Sequence, residues 1–298
     1  MSRYEANAKI NLYLAITGKR NDGYHTLSSI MQSVSLCDVI DVELTGYRNG
    51  ISVSCDADNI PIDKRNVVYK AAEAFFDLSG IAAGAKIDIK KWIPSQAGMG
   101  GGSADGAAVI RALDRLCGTD YSEDELRRLA SRVGADVPFC LYGGCREVAG
   151  IGEIDLGSLP PPDCTYLIVK ADECISTPVA YRSLDIKNVD LVESGHRDCG
   201  ILRDSLLSGG KCFTNHMYNV FESVLPELAP KTSDIIDFMR ERTQGALLCG
   251  SGSAVFAVTQ NEKEALNLRD TVISKFGDLF TAICVPAQSG VKMLSERN

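Results

Sequence analysis

The sequence predicts an α+β protein of two domains, and three observations support this prediction. The chain has 298 residues, a length that suits one large domain or two modest ones. Hydrophobic residues make up 45% of it and charged residues 23%, which is ordinary globular usage and excludes disordered and fibrous classes. Strand-like and helix-like segments follow one another in mixed order, which favours an α+β sandwich over a doubly wound sheet.

The elements of the first half are predicted by their apolar spacing and by their end signals. Asn66 is a good helix N-cap, Pro94 closes a strand because it lacks an N–H donor, and Ser122 with Glu125 forms a capping box. The predicted elements are a strand at 9–14, a turn at 21–23, a helix from 67 to Gly80, a strand at 85–93, a helix after the glycines to Gly118 and a helix from 123 to about Gly134.

A proline cluster at 159–163 separates the two predicted domains, which are residues 1–160 and 161–298. Ser176 begins a helix after the next strand. The elements predicted for the second half are strands at 166–169, 245–249, 254–258 and 279–285, the last being the final strand, and helices from 176 and around 198–208, 216–225, 231–242 and 261–276.

Charge and cysteine usage limit the class of protein. The formal net charge of −8 argues against a general nucleic-acid binder, which needs clustered Lys and Arg. The eleven cysteines contain no Cys-x-x-Cys pair, so zinc ribbons and redox motifs are unsupported and a reducing cytosol is the simpler compartment. No uncharged apolar run approaches the ~20 residues of a spanning helix. We therefore expect a cytoplasmic protein that uses neither nucleic acid nor membrane.

A glycine-rich segment follows the strand at 85–93. Four of the five residues at 98–102 are glycines, and Ser103 comes next. Glycines permit positive φ angles and close approach of the backbone, so consecutive N–H groups can converge on an anion where the next helix begins. The segment predicts a phosphate site, with Asp105 as a helix cap or an aid in holding a divalent cation. A flexible turn is an equally good interpretation of the glycines alone.

Two familiar phosphate-binding patterns do not fit this segment. The dinucleotide pattern G-x-G-x-x-G fails because neither Ser103 nor Ala104 supplies its third glycine. The NTPase pattern fails because no lysine follows the glycines. What remains is a phosphate cradle whose cationic group comes from elsewhere in the chain.

Residues 94–108 resemble the ATP-binding motif of the GHMP small-molecule kinases, usually Pro-x-x-x-Gly-Leu-Gly-Gly-Gly-Ser-Ser-Asp/Asn-Ala-Ala. Met99 replaces the leucine, Ala104 the second serine and Gly106 an alanine. The resemblance implies the two-domain GHMP kinase fold, with an N-terminal β/α sandwich and a C-terminal ferredoxin-like α/β sandwich, and it implies ATP with Mg²⁺ as cofactors. The ATP-binding residues that it implies are Pro94, Ala97, Gly98, Met99, Gly100, Gly101, Gly102, Ser103 and Ala104, with Asn66 and Lys91 nearer the adenine.

Residues 9–25 resemble the N-terminal signature of one GHMP family, the 4-diphosphocytidyl-2-C-methyl-D-erythritol kinases. An alternating strand carries Lys9 and Asn11 on one face, and the turn after it presents Tyr24 and His25. On its own this would be an ordinary strand and turn. The family implies ATP-dependent phosphorylation of the 2-hydroxyl of its substrate, giving the 2-phosphate and ADP, in the methylerythritol phosphate route to isoprenoids.

Two further segments carry the resemblance through the chain. Residues 134–139 resemble the family segment with the catalytic aspartate, here Asp136, although an isolated aspartate in this setting is more often a cap or turn residue. Residues 248–256 resemble the third GHMP motif, a glycine-rich turn near the phosphates, whose ordinary interpretation is a hairpin turn. Weaker likeness extends over 175–181 and 219–222.

The resemblance implies a role for each matching side chain. Asp136 would accept the proton of the substrate hydroxyl, and Lys9 would lie beside it and stabilise charge on the transferring group. Asn11 would help to hold the polyol. The remaining side chains would bind the cytosine, with Tyr24 and Tyr181 stacked on its two faces and His25 at its edge. For Tyr181 a place in the core of an amphipathic helix is an equally good interpretation.

Two other functions stay open at this point. One is a GHMP kinase that acts on mevalonate, homoserine or a sugar, which the pattern at 9–25 disfavours. The other is a catalytically silent relative that only binds ligand, which the presence of both Lys9 and Asp136 disfavours. For the main interpretation the partners are ATP and the cytidine diphosphate substrate, and we expect a monomer or a weak homodimer.

Overall fold

The structure is a computed structural model, and it describes residues 1–187, 199–209 and 212–296. Its strands are β1 (Ser2–Lys19), β2 (His25–Gly46), β3 (Ile51–Cys55), β4 (Ala83–Lys90), β5 (Cys145–Ala149), β6 (Ile154–Leu159), β7 (Thr165–Lys170), β8 (Tyr218–Asn219), β9 (Gly245–Leu248), β10 (Ala254–Thr259), β11 (Phe280–Cys284) and β12 (Val291–Glu296). Its α-helices are α1 (Val67–Ser79), α2 (Gly101–Cys117), α3 (Glu123–Val133), α4 (Val137–Tyr142), α5 (Thr177–Ile186), α6 (Gly200–Leu207), α7 (Leu225–Leu228), α8 (Pro230–Arg240) and α9 (Glu262–Phe276).

The first sheet is built around the long antiparallel hairpin of β1 and β2. The predicted turn at 21–23 joins them, where Asp22 accepts a hydrogen bond from the Tyr24 N–H and Gly23 takes a φ of 89°. Along the sheet the order is β12-β1-β2-β4-β3. β2 is long enough for two partners on one side, because its C-terminal part pairs with β4 and its N-terminal part with β5.

Bulges in β1 aim this strand at the glycine-rich loop. The register between β1 and β2 shifts between Asn7 and Lys9 and again between Asn11 and Tyr13. At the first shift the Lys9 N–H leaves the β1–β2 ladder and donates to the Met99 carbonyl at 2.9 Å. Bulges re-aim side chains and are common next to active sites. The strand therefore fixes the position of the loop directly.

The second sheet is antiparallel, in the order β11-β7-β10-β9. Counted along the chain these are its fourth, first, third and second strands, the order of a ferredoxin-like sandwich. α8 packs against β9 and β10, and α9 packs against β7 and β11. The predicted α+β class and the ferredoxin-like C-terminal sandwich are therefore confirmed.

Alanine and glycine let α2 lie deep in the first domain, against β1, β2 and α1. The alanines of its buried face are fully inaccessible, among them Ala104, Ala107 and Ala108. A Cβ at Gly106 would lie 2.9 Å from a methyl group of Val67. This contact explains why glycine replaces the motif's usual alanine at this position.

End signals in the sequence are confirmed where they are purely local. The Asn66 side chain accepts from the Val68 N–H at the start of α1, and Gly80 ends that helix in the left-handed conformation. The capping box of Ser122 and Glu125 is present at α3. Of the predicted helix at 198–208, residue 198 lies outside the described residues.

One predicted helix is wrong, and so is the prediction that the strand at 279–285 is the last. In place of a helix over 216–225 the chain forms β8 and a short 3-10 turn, Val220–Ser223. The Asn219 side chain donates to the Leu248 and Gly250 carbonyls and caps the turn by accepting from the Phe221 N–H. The strand at 279–285 is not the last. β12 follows it and pairs with β1, as β8 also does, so both join the first sheet. The domain boundary at 160 stays a prediction.

None of the helices in the described parts of the chain is both long enough and apolar enough to cross a lipid bilayer.

Candidate active site

A cavity of about 920 Å³ lies between the first sheet, the glycine-rich loop and α5. The loop and the start of α2 line one end, and the β1–β2 turn with α5 lines the other. The turn at 250–251 closes one side. Ligand sites commonly enclose about 300–1,000 Å³, so this cavity lies near the upper end of the usual range.

The glycine-rich loop is held by its backbone and by two buried side chains. Ala97 and Met99 are buried. Gly98 and Gly100 take φ angles of 75° and 68°, the left-handed region that favours glycine. A Cβ at Gly98 would lie 1.9 Å from the Cys249 carbonyl oxygen, so this residue must be glycine for the loop to pack on the turn that follows β9.

The loop leads directly into α2, whose first backbone N–H groups have no partner within the helix. Such a helix start carries partial positive charge and attracts phosphate. Of the ATP-binding residues implied by the sequence, all but Ala104 line the cavity; Ala104 is buried beneath it. Those that line it are Pro94, Ala97, Gly98, Met99, Gly100, Gly101, Gly102, Ser103, Asn66 and Lys91.

Lys9 and Asp136, distant in sequence, meet beside the loop. Lys9 Nζ lies 3.4 Å from Asp136 Oδ2 and 2.8 Å from Asn11 Oδ1. The methylene stem of Lys9 packs against Gly100, where a Cβ would come within 3.0 Å of Lys9 Cγ. Asp136 stands at the N-cap of α4 without capping it through its side chain. Its carboxylate is therefore available to the cavity.

Lys91 lies under the loop with its ammonium group held by two carboxylates. Lys91 Nζ is 2.8 Å from Asp105 Oδ2 and also contacts Asp38 Oδ2. Asp38 in turn accepts the Trp92 and Ile93 N–H groups, at 2.7 and 2.9 Å. The three side chains connect β2, the end of β4 and α2. Asp105 thus accepts a hydrogen bond from Lys91 and is not a helix cap.

Burial is the main cause of a raised pKa at Asp105, which reaches about 8. The neighbouring Asp38 carboxylate acts in the same direction, against the Lys91 ammonium. One oxygen of Asp105, Oδ1, is buried without a hydrogen-bond partner among the described residues. Asp105 therefore keeps its proton to a higher pH than an ordinary aspartate does.

Replacing Asp105 by asparagine should change how stability depends on pH. The folded pKa lies above the value of ~3.9 for an unfolded chain, so the folded state binds the extra proton between these values. The contribution of this proton to the free energy of unfolding is complete below about pH 4 and is lost as the pH rises through about 8. The urea midpoint of the wild type should therefore fall, relative to that of Asp105→Asn, between about pH 5 and about pH 8.

The exposed Asp77→Asn serves as the matched control for this measurement, since Asp77 lies on the surface of α1. Its urea midpoint should follow that of the wild type at each pH. Parallel curves for Asp105→Asn and the wild type would contradict a proton held on Asp105.

Aromatic rings gather at the other end of the cavity. The rings of His25 and Tyr181 stack with centroids 5.0 Å apart, and the rings of Tyr181 and Phe221 meet edge to face with centroids 4.9 Å apart. His25 Nε2 is hydrogen-bonded to Asp185 Oδ1 at 2.8 Å, and Lys19 Nζ donates to the other oxygen of that carboxylate at 2.7 Å. Tyr24 lines the cavity but is 61% exposed. Three of the four rings are thus together, and Tyr24 stands apart.

Two residues of the site, Asp38 and Asp185, were missed by the sequence analysis. For Asn66 the sequence predicted a binding role but not the hydrogen bonds that its amide already makes. Asp185 lies four residues after Tyr181 on α5, on the same helix face, and that spacing was a usable signal. Asp38 had none, since it is one of three acidic residues, with Asp41 and Glu43, in a long strand. Asn66 lines the cavity, but its amide already caps α1 and donates to the Pro61 carbonyl.

The comparison with known proteins agrees with this geometry. The model of the GHMP kinases N terminal domain matches residues 66–144, and that of the GHMP kinases C terminal domain matches residues 201–278. A homoserine kinase from Cytophaga hutchinsonii shares the fold, with a TM-score of 0.78 at 19% identity over 98% of this chain and 97% of that one. Fold and site together define a GHMP small-molecule kinase.

Relatives with higher sequence identity identify one family within this class. A 4-diphosphocytidyl-2-C-methyl-D-erythritol kinase from Desulfitobacterium hafniense is 42% identical over 87% of this chain and 88% of its own length. A crystal structure of 4-(cytidine 5'-diphospho)-2C-methyl-D-erythritol kinase has a TM-score of 0.76 at 28% identity, covering 95% of this chain and 98% of that one. The chain belongs to the 4-diphosphocytidyl-2-C-methyl-D-erythritol kinase family.

Proposed function

We propose that this kinase transfers the γ-phosphoryl group of ATP to the 2-hydroxyl of 4-diphosphocytidyl-2-C-methyl-D-erythritol, giving the 2-phosphate and ADP. This places it in the methylerythritol phosphate route to isoprenoids. The observation that carries the proposal is the Lys9–Asp136 pair, 3.4 Å apart beside the glycine-rich loop, in a cavity that has aromatic rings at its far end. The names of its relatives supply the substrate.

ATP would bind with its phosphates on the glycine-rich loop and at the start of α2. Main-chain N–H groups and the partial positive charge of the helix start suit an anion there, and Ser103 lines the same region. The adenine would lie toward Asn66. Lys91 would support the loop from beneath, because its ammonium group is already held by Asp38 and Asp105.

Phosphoryl transfer depends mainly on positioning and charge neutralisation, because its transition state is loose. The 2-hydroxyl oxygen bonds to the γ-phosphorus, the bond from that phosphorus to the bridging oxygen of ADP breaks, and the hydroxyl proton passes to Asp136. Lys9 holds the Asp136 carboxylate in place and offsets negative charge on the transferring group. Asn11, bound to Lys9, would hold the polyol end of the substrate.

Mg²⁺ would be held mainly by the phosphates of ATP. The described residues contain no group of three or more His, Cys, Asp or Glu side chains that could hold a metal ion. Mg²⁺ usually takes only one or two protein oxygens together with phosphate oxygens, so a dedicated cluster is unnecessary. The Ser103 hydroxyl and the part-exposed Asp136 carboxylate are the oxygens available beside the loop. The ion would supply charge neutralisation at the phosphates.

The cytosine would bind at the aromatic end of the cavity. The His25 ring covers one face of Tyr181, so a base that stacks on that face requires the His25 ring to move. The exposed Tyr24 ring is free to close over the base from the other side. Burial raises the pKa of Tyr181 to about 12, so that this ring stays neutral at physiological pH.

Replacing Tyr24 by alanine should raise the KM for the cytidine substrate about tenfold or more, since one base–aromatic stack contributes about 1–3 kcal/mol. The KM for ATP should stay within about twofold. Steady-state kinetics with each substrate varied in turn measures both constants. Tyr47→Ala is the control, because Tyr47 is also exposed but does not line the cavity. An effect confined to ATP would contradict the assignment.

The function itself is tested by a coupled assay for ADP release with a panel of acceptors. The panel contains the cytidine diphosphate substrate, mevalonate, homoserine and a sugar. Turnover with the first alone is the expected result. Turnover with another acceptor would replace the proposed substrate, and ATP binding without turnover on any acceptor would indicate a catalytically silent relative.

A further inference from the structure

The side-chain amide of Asn11 is held in one orientation by neighbours on both of its ends. Asn11 is 1% exposed. Its carbonyl oxygen accepts a hydrogen bond from Lys9 Nζ at 2.8 Å, and its NH₂ group donates to Ser29 Oγ at 2.9 Å. The two ends of an amide are similar in shape, so these partners alone decide which end faces the lysine.

The Ser29 hydroxyl has its own direction fixed by the backbone. Ser29 is fully buried on β2, and its hydroxyl donates to the Tyr13 carbonyl oxygen at 2.5 Å. Its single proton is thereby used, and only oxygen lone pairs remain toward Asn11. The Tyr13 carbonyl lies next to the second bulge of β1, where the register shifts between Asn11 and Tyr13. A strand irregularity thus sets the direction of a hydrogen-bonded chain.

We propose that Ser29 is a positioning residue for the phosphoryl transfer, acting through Asn11 on Lys9. The chain runs from the Tyr13 carbonyl through Ser29 and Asn11 to the Lys9 ammonium, which lies 3.4 Å from Asp136 Oδ2. With Ser29 in place, a carbonyl oxygen faces the ammonium group. Without it, the NH₂ group of Asn11 loses its buried acceptor, and the amide that holds the Lys9 ammonium is less firmly fixed in position. The proposal rests on the proposed roles of Lys9 and Asp136.

Ser29→Ala tests this proposal, with Ser33→Ala as the matched control. Ser33 lies on the same strand and is also buried, but its hydroxyl has no partner among the residues that the structure describes. We expect Ser29→Ala to lower kcat about tenfold, the worth of one oriented hydrogen bond, with the KM for ATP within about twofold. Ser33→Ala should keep kcat within about twofold. Equal losses of kcat in both variants would overturn the proposal.

A double-mutant cycle separates positioning from a general structural role. In an Asn11→Ala background, Ser29→Ala should change kcat by less than about twofold, because the amide through which it acts is gone. A tenfold loss in both backgrounds would show that Ser29 acts by another route. Should Ser29→Ala fail to fold, Ser29→Cys fills the site with a slightly larger thiol that is a weaker donor and acceptor, and it is expected to give an intermediate loss of kcat.

The wild type in the same assay reports on the proposed function independently. If the wild type turns over a different acceptor from the panel, the cycle is run with that acceptor, and the loss of kcat on Ser29→Ala still decides the role of Ser29. An experiment that contradicts the proposed substrate can therefore be distinguished from one that contradicts the proposed role of Ser29.

Discussion

Replacing Asp136 by asparagine should lower kcat about a hundredfold or more while ATP affinity stays within about twofold. The amide has nearly the same shape as the carboxylate, but it cannot accept the hydroxyl proton at neutral pH. It also removes the charge that lies 3.4 Å from Lys9 Nζ. Single-turnover kinetics with both substrates bound gives the rate of transfer, and equilibrium titration with ATP gives the affinity.

Asp77→Asn is again the matched control, since it removes an exposed carboxylate of α1 remote from the cavity. Its kcat should equal that of the wild type. If Asp136→Asn turned over at the wild-type rate, Asp136 would not be the base. A loss of ATP affinity as large as the loss of rate would instead assign Asp136 to nucleotide binding.

Replacing Gly98 by alanine should weaken ATP binding about tenfold or more, because left-handed strain of ~1–3 kcal/mol alone has that effect. Alanine is disfavoured at a φ of 75°, and its Cβ would also lie 1.9 Å from the Cys249 carbonyl oxygen. The loop must therefore move off the turn after β9, and its N–H groups lose their common direction. ATP titration by calorimetry measures the loss, and circular dichroism verifies that the chain is folded.

Gly102→Ala is the informative comparison, because it adds the same methyl group within the same motif. Gly102 is helical, and a Cβ there would lie 3.5 Å from Val67 Cγ2, an ordinary contact. This variant should fold normally and bind ATP more tightly than Gly98→Ala does. Equal weakening by both substitutions would mean that the added methyl obstructs the phosphate directly, and that backbone conformation is not the cause.

Much of the fold could be predicted wherever local chemistry decides it. The cap at Asn66, the capping box at Ser122 and the left-handed ends at Gly80 and Gly118 depend on neighbours a few residues away, and each is present. The helix predicted over 216–225 failed because Asn219 donates to the Leu248 and Gly250 carbonyls, far along the chain. No short window of sequence contains both Asn219 and these two partners.

The site shows the same division. The glycine-rich loop was apparent from its composition, since glycine itself supplies the conformations that a phosphate cradle requires. That Lys91 is occupied by Asp38 and Asp105 was not apparent, because the three lie on different elements. The stacking of His25 on Tyr181 likewise depends on α5 lying beside the start of β2.

The amino-acid sequence by itself determined the chemistry that the chain carries: a cradle of main-chain donors, a carboxylate, an ammonium group and aromatic rings. Only the tertiary structure decided which of these groups meet and how they are oriented. Bulges in β1 turn Lys9 toward the loop, and Ser29 and Asn11 fix the hydrogen-bonded side of its ammonium group. The physical reason is that conformation follows from neighbours along the chain, whereas a distance of a few ångströms between remote residues follows from how whole elements pack.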